Sequence, residues 1–183
     1  RLIKRPNGGA WVNTGSTTTE PPLSLNMVKA EGLSGFSDFA LGTQYCKVVT
    51  NGNDDGIGSL RFAIAQCSNP EDYIYIAEFI DSIFLVSDTI ILDKNLSIFH
   101  SGNEKVVIQT TSSSPVFKTN PGVLITLNNI EIHSGGVASS KALLNNGNTI
   151  LWNVDIINSI PGEIPVMNTG ILEISETVQI KNQ

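Results

Sequence analysis

Residues 124–134 read LITLNNIEIHS, and residues 148–158 read NTILWNVDIIN. Laid one over the other, Ile130-Glu131-Ile132 falls on Val154-Asp155-Ile156, each of the form apolar-x-apolar. The same form stands at Val106-Val107-Ile108 and again at Val178-Gln179-Ile180, so four copies follow one another at a constant interval of 24 residues. Other columns keep the register: Thr126, Ile150 and Ile174; Asn129, Asn153 and Thr177; Ser134, Asn158 and Asn182. Upstream in each copy comes a further apolar pair and a turn, as in VFKTNPG, LLNNGN and VMNTG.

A single copy of 24 residues holds two or three short strands and cannot bury its own apolar face. Stacking copies places like on like about 4.8 Å apart and builds one continuous core. The expected fold is therefore all-β, a right-handed parallel β-helix of about 24 residues per rung; the right hand is the default for parallel connections. Val or Ile at 106, 108, 130, 132, 154, 156, 178 and 180 should point inward, and Val107, Glu131, Asp155 and Gln179 outward. Asparagines in register should form amide ladders along the axis. A β-sandwich also yields regular short strands, but four rungs in one register favour the solenoid.

Working outward, TNGNDDGIGSLRFAIAQC (residues 50–67) offers three readings. Asn51, Asn53 and Asp55 followed by Gly56 copy the first half of a calcium loop, yet Phe62 stands where the bidentate glutamate belongs. Gly56 and Gly58 before a helix suggest a phosphate cradle, but the third glycine and the P-loop lysine are missing. The third reading is a cap. Ser59 is a good helix N-cap, and Leu60, Ala63, Ile64 and Cys67 share one helical face. A glycine turn and a short amphipathic helix would cover the end of the solenoid, whose unpaired backbone otherwise invites aggregation. Arg61 is expected to pair locally with Asp54 or Asp55.

Residues 1–43 have a different character: RPNGGAW, the linker NTGSTTTEPP, and strand candidates LSLNMVKAE and GFSDFALG. They are read as the C-terminal strands of a preceding β domain or a linker, with residues 44–183 as the β-helix and its capping strand and helix. The end at Gln183 without an evident cap suggests that more chain or a partner continues the stack.

The chain carries 11 basic and 17 acidic residues, net −6, which removes the basic footprint a nucleic-acid partner requires. The most apolar window, residues 73–92, contains Glu78, Asp81 and Asp88 and so is no bilayer span. Cys46 and Cys67 are the two cysteines. The choice lies between two buried thiols and one disulfide. The strand opened by Cys46 and the helix closed by Cys67 favour the disulfide, which implies an oxidising compartment and would stabilise by about 3 kcal/mol in the chain-entropy model.

The stretches VVTNGNDDGIGSLRFAIAQC, DTIILDKNLSI and VFKTNPGVLITLNNIEI together resemble the opening of β-helix domains in large secreted bacterial surface proteins of the Bacteroidetes type, adhesins among them. The shared elements fall on Asn53, Asp55, Gly56, Gly58, Ser59, Leu60, Arg61, Ala63, Ile64, Lys94, Asn95, Leu96 and Ile98. GLSGFSDFALG (residues 32–42) is similar to the closing strand of modules that precede such domains. The resemblance implies an extracellular or cell-surface setting and adjoining domains; it assigns no chemistry, because the shared residues are structural.

Two functions are then in play. The first is a non-enzymatic structural or ligand-binding module, adhesin-like, that needs no cofactor and takes a surface glycan or another protein as partner. The second is a carbohydrate-active enzyme, a lyase or hydrolase, on the same scaffold. The catalytic candidates are Glu131 and Asp155 on neighbouring rungs, with His133 beside them and Lys181 further on. Their spacing suits a retaining carboxylate pair, but both leave one sheet in the same direction. Trp152 is a candidate sugar platform or a partly buried corner aromatic, and no threonine array suits ice.

Overall fold

A computed structural model describes residues 2–6, 12–13, 37–41, 45–67, 72–136, 140–175 and 177–182. The chain divides into two compact units, Arg1–Gln44 and Tyr45–Gln183. In the first, β1 (Leu2–Pro6) pairs antiparallel with β2 (Val12–Asn13) and with β3 (Ser37–Leu41). The strand β3 lies within the expected GFSDFALG. Strands β1 and β2 were not foreseen in the turn-rich opening, and LSLNMVKAE lies outside the described residues.

The second unit is a parallel β-solenoid of about five turns with one short helix. It begins with β4 (Tyr45–Val49), α1 (Leu60–Gln66), β5 (Asp72–Ile76), β6 (Ser82–Leu85), β7 (Ile90–Leu92) and β8 (Leu96–His100). There follow β9 (Val106–Thr110), β10 (Phe117–Thr119), β11 (Leu124–His133), β12 (Leu143–Asn145), β13 (Asn148–Asn158), β14 (Val166–Asn168), β15 (Ile171–Ile174) and β16 (Gln179–Asn182).

Three faces result. The first stacks β4, β5, β8, the front of β11, the front of β13, and β15; the second stacks β6, β9, the backs of β11 and β13, and β16. The third stacks β7, β10, β12 and β14. The first two share their long strands because β11 and β13 turn the corner without a break, at Asn129 (φ 58°) and Asn153 (φ 50°). Thr177 repeats the turn at φ 73°. Left-handed backbone costs a β-carbon about 1–2 kcal/mol, and asparagine tolerates it best among residues other than glycine.

The register of the second face is the one the repeat dictates. Ile83, Ile108, Ile132, Ile156 and Ile180 form one column, with Glu131 opposite Asp155 and Asp155 opposite Gln179. Val106, Ile108, Ile130, Ile132, Val154 and Ile156 are all sealed from solvent. Val178 is half-buried and Ile180 exposed, because the last described rung has a neighbour on one side only.

One column needs correction. Ile150 pairs with Glu173, and Ile174 lies against Leu151. The turn from Asn145 to Asn168 is only 23 residues, so the register is one residue short on the third face and on the first. It recovers before Asp155 meets Gln179.

Polar residues inside the stack are organised along the axis. Asn153 donates to the Oδ1 of Asn129 (2.9 Å), and the Nδ2 of Asn129 reaches the carbonyls of His100, Gly102 and Glu104. On the third face Thr119 donates to Asn145, which donates to Asn168 at 2.8 Å. Ser134 donates to Asn158 at 3.0 Å. Each bond satisfies a buried group that would otherwise cost about 1–3 kcal/mol. The ladders expected from the asparagine columns are thus present.

Candidate functional site

The opening loop is held by Asp54. Its buried Oδ1 accepts from Arg61 Nη2 (2.8 Å) and Nε (3.3 Å), and its Oδ2 accepts from the amides of Ser87 (2.7 Å) and Val86 (3.3 Å). Arg61 also donates to the carbonyls of Asp88 and Thr89. Burial pushes the Asp54 carboxyl up, but hydrogen bonds from Ser87 and Arg61, with the Arg61 charge, outweigh it and hold the pKa below the ordinary aspartate value. Of the two aspartates offered by the sequence, Asp54 is the partner of Arg61. Together they pin the loop and helix to the segment between β6 and β7.

Ser59 caps α1, its hydroxyl accepting from the Phe62 amide. Gly52 lies so close to the Ser82 carbonyl that a β-carbon would stand 2.2 Å from it, and Gly58 adopts φ +88°. The other motif residues are equally occupied. Lys94 donates to the Cys67 carbonyl at 2.6 Å, and Asn95 accepts from the Leu124 amide at 2.8 Å.

The calcium-loop candidates face their own backbone. Asn51 accepts from the Asn53 amide and donates to the Ile57 carbonyl, while Asp55 accepts from the Gly56 amide at 2.7 Å. Among the described residues no group of three or more His, Cys, Asp or Glu is gathered to hold a metal. Cys67 is buried at the C-terminus of α1; the side chain of Cys46 lies outside the described residues.

Glu131, His133 and Asp155 are brought together on the outer side of the second face. His133 Nε2 contacts Glu131 Oε1, and Lys105, which the sequence did not single out, reaches Asp155 Oδ1 at 2.8 Å. Lys105 precedes β9 and crosses from the corner column, a path invisible in a rung-by-rung alignment. Lys181 pairs in register with Ile157, two rungs from His133. The carboxylates stand side by side on one sheet, each with its own basic partner, and do not flank a space between them.

Trp152 is 54 % exposed and lies within β13, opposite Asn128. It is a half-exposed strand residue on an open face, immediately before the Asn153 corner. On that first face two outward columns run Tyr73–Ser97–Thr126–Ile150 and Tyr75–Phe99–Asn128–Trp152. Phe99 meets Tyr75 and Tyr73 edge to face, with ring centroids 5.4 and 6.5 Å away. Sequence reading found Trp152 alone, since the interval from β8 to β11 is 29 residues and takes Phe99 out of the 24-residue period.

The fold and its outer faces define a parallel β-solenoid with one short helix. No protein-family model, curated protein or solved structure matches the chain. No helix among the described residues is long and apolar enough to cross a membrane.

Proposed function

We propose that the chain is a non-enzymatic structural or ligand-binding module of a secreted or cell-surface multidomain bacterial protein, adhesin-like in role. The observation that carries this reading is the pairing on the second face. Glu131 is taken up by His133 and Asp155 by Lys105, and both project the same way from neighbouring rungs. A glycosidase needs two carboxyls on either side of the scissile bond, and a lyase needs a base aimed at a bound sugar. This arrangement serves neither. The residues that carry the resemblance to bacterial surface β-helices, Ser59, Arg61, Lys94 and Asn95 among them, are engaged in local structural bonds, which suits a stalk or display scaffold.

The extracellular setting rests on the cysteines. The reading pairs Cys46 with Cys67; its support is that the strand bearing Cys46 packs against α1, whose C-cap is Cys67.

The test is incubation with pectins, alginates, glucans and host glycans, with and without calcium, following reducing ends and unsaturated products. No turnover is expected. Turnover that disappears in Glu131→Gln or Asp155→Asn would overturn the reading.

A further inference from the structure

We infer that the first face of the solenoid is a docking strip for an extended, uncharged, β-linked glycan lying along the axis, with Trp152 as its principal platform. The inference rests on the reading above that the chain binds without cleaving.

Charge is the first argument. Over the four rungs β5, β8, β11 and β13 the outward columns are Tyr73, Ser97, Thr126 and Ile150, and Tyr75, Phe99, Asn128 and Trp152. None of these is charged, although the chain as a whole carries net −6; the first charge in the columns is the exposed Glu173, which follows Ile150 on β15. The second face, by contrast, bears Glu131, His133, Asp155 and Lys181. Four rungs free of charge, closed by one carboxylate on an acidic protein, attract neither a uronate polymer nor, over their length, a basic peptide. They suit a neutral partner that offers apolar C–H faces and hydroxyls.

Chemistry and spacing give the partner its class. An indole stacks on the C–H face of a pyranose, while neighbouring amides and hydroxyls take the sugar hydroxyls; rigid aromatics and a few placed polar groups are the usual make-up of such sites. Here Trp152, 54 % exposed, has Asn128 beside it on the next rung and Thr126 in the adjoining column. Tyr73, 45 % exposed, continues the strip toward the capped end. Rungs recur about every 4.8 Å, close to the advance of one sugar in an extended β-linked chain. The Phe99 and Trp152 positions, two rungs apart, match the distance after which such a chain presents the same ring face again.

The experiment is affinity electrophoresis and titration calorimetry of the whole chain against hydroxyethyl cellulose, xyloglucan and mixed-linkage β-glucan. Polygalacturonate and alginate serve as charged controls. Retardation by one or more neutral glycans is expected, with affinity falling at least tenfold in Trp152→Ala and largely kept in Trp152→Phe. Glu131→Gln should bind as the parent does. Circular dichroism of Trp152→Ala checks that the half-exposed position leaves the fold intact. Absence of retardation, retardation by the acidic polymers alone, or full binding by Trp152→Ala would each overturn the inference and leave the proposed function standing. Self-association abolished by Trp152→Ala would assign the face to a second copy and also overturn it. Cleavage of a bound glycan would instead overturn the proposed function.

Discussion

Replacing Asp54 by alanine tests the cap at its most concentrated point. The carboxylate takes two bonds from Arg61 and one each from the amides of Val86 and Ser87, and its side chain is only 6 % exposed. Removing one partner of a buried ion pair costs about 3–5 kcal/mol. Arg61 is 26 % exposed and keeps the carbonyls of Asp88 and Thr89, which places the loss at about 3 kcal/mol. For a unit of this size that lowers Tm by roughly 10 °C. Because a solenoid is stabilised rung by rung, the loss should be local first, with hydrogen exchange accelerating in residues 51–67 and 82–92.

The pH dependence has a definite sign. The folded-state pKa of Asp54 is depressed, so its contribution is fully present above the unfolded value of about 3.9 and is lost as pH falls through the folded value. The stability gap between the parent chain and Asp54→Asn should be widest at neutral pH and close progressively below about pH 4. Denaturant titrations across that range measure it. A Tm within about 2 °C of the parent for Asp54→Ala, or a gap that does not change with acid, would refute the reasoning.

Ile156→Asp places an unpaired carboxylate between Ile132 and Ile180 in a sealed column; it should cost several kcal/mol, abolish folding by circular dichroism, and leave unchanged spectra only if the register is wrong. Thr177→Asn should raise stability by about 1 kcal/mol, since a β-branched residue there holds φ 73° and asparagine tolerates that region; thermal melting reads the gain. Asn129→Ala removes the donor to three carbonyls of the 100–104 turn and the acceptor of Asn153, a loss of about 2 kcal/mol, visible as faster amide exchange in that turn. Non-reduced peptide mapping should find Cys46 linked to Cys67 in exported protein, and two free thiols would remove that support for an extracellular location.

The second face was readable because its spacing is physically enforced. Each inward Val or Ile must meet its like one rung away, so any slip would turn a column such as Ile108–Ile132–Ile156 to solvent. The same logic made the cap legible, since Ser59, Gly58 and the apolar face of α1 are local signals. What escaped depends on contacts between turns. Choosing Asp54 over Asp55 required knowing which carboxylate faces the amides of Val86 and Ser87, more than thirty positions away. Lys105 was missed because it crosses rungs diagonally to Asp155.

The shortened turn shows why the columns could be read on one face and misread on another. At the Asn129, Asn153 and Thr177 corner the chain bends at a left-handed residue, and across it the interval returns from 23 residues, Leu151 to Ile174, to 24, Asp155 to Gln179. Between the third and first faces the bend is made by an asparagine and a glycine, Asn146-Gly147 in one turn, with Gly170 against it in the next. There a β-carbon on Gly170 would lie 2.0 Å from the Gly147 carbonyl. The interval is 23 residues on both sides of that corner, Asn145 to Asn168 before it and Asn148 to Ile171 after it, so the shortening is carried through it, while Asn145 bridges to Asn168 and to the Ile171 carbonyl at 2.8 Å. The second face alone keeps 24 residues from β9 to β16, while the asparagine ladder of the third face bridges rungs of unequal length. The third and first faces are where the interval departs from 24 residues, and on the first face exposed side chains vary from rung to rung in a way that could suit a ligand.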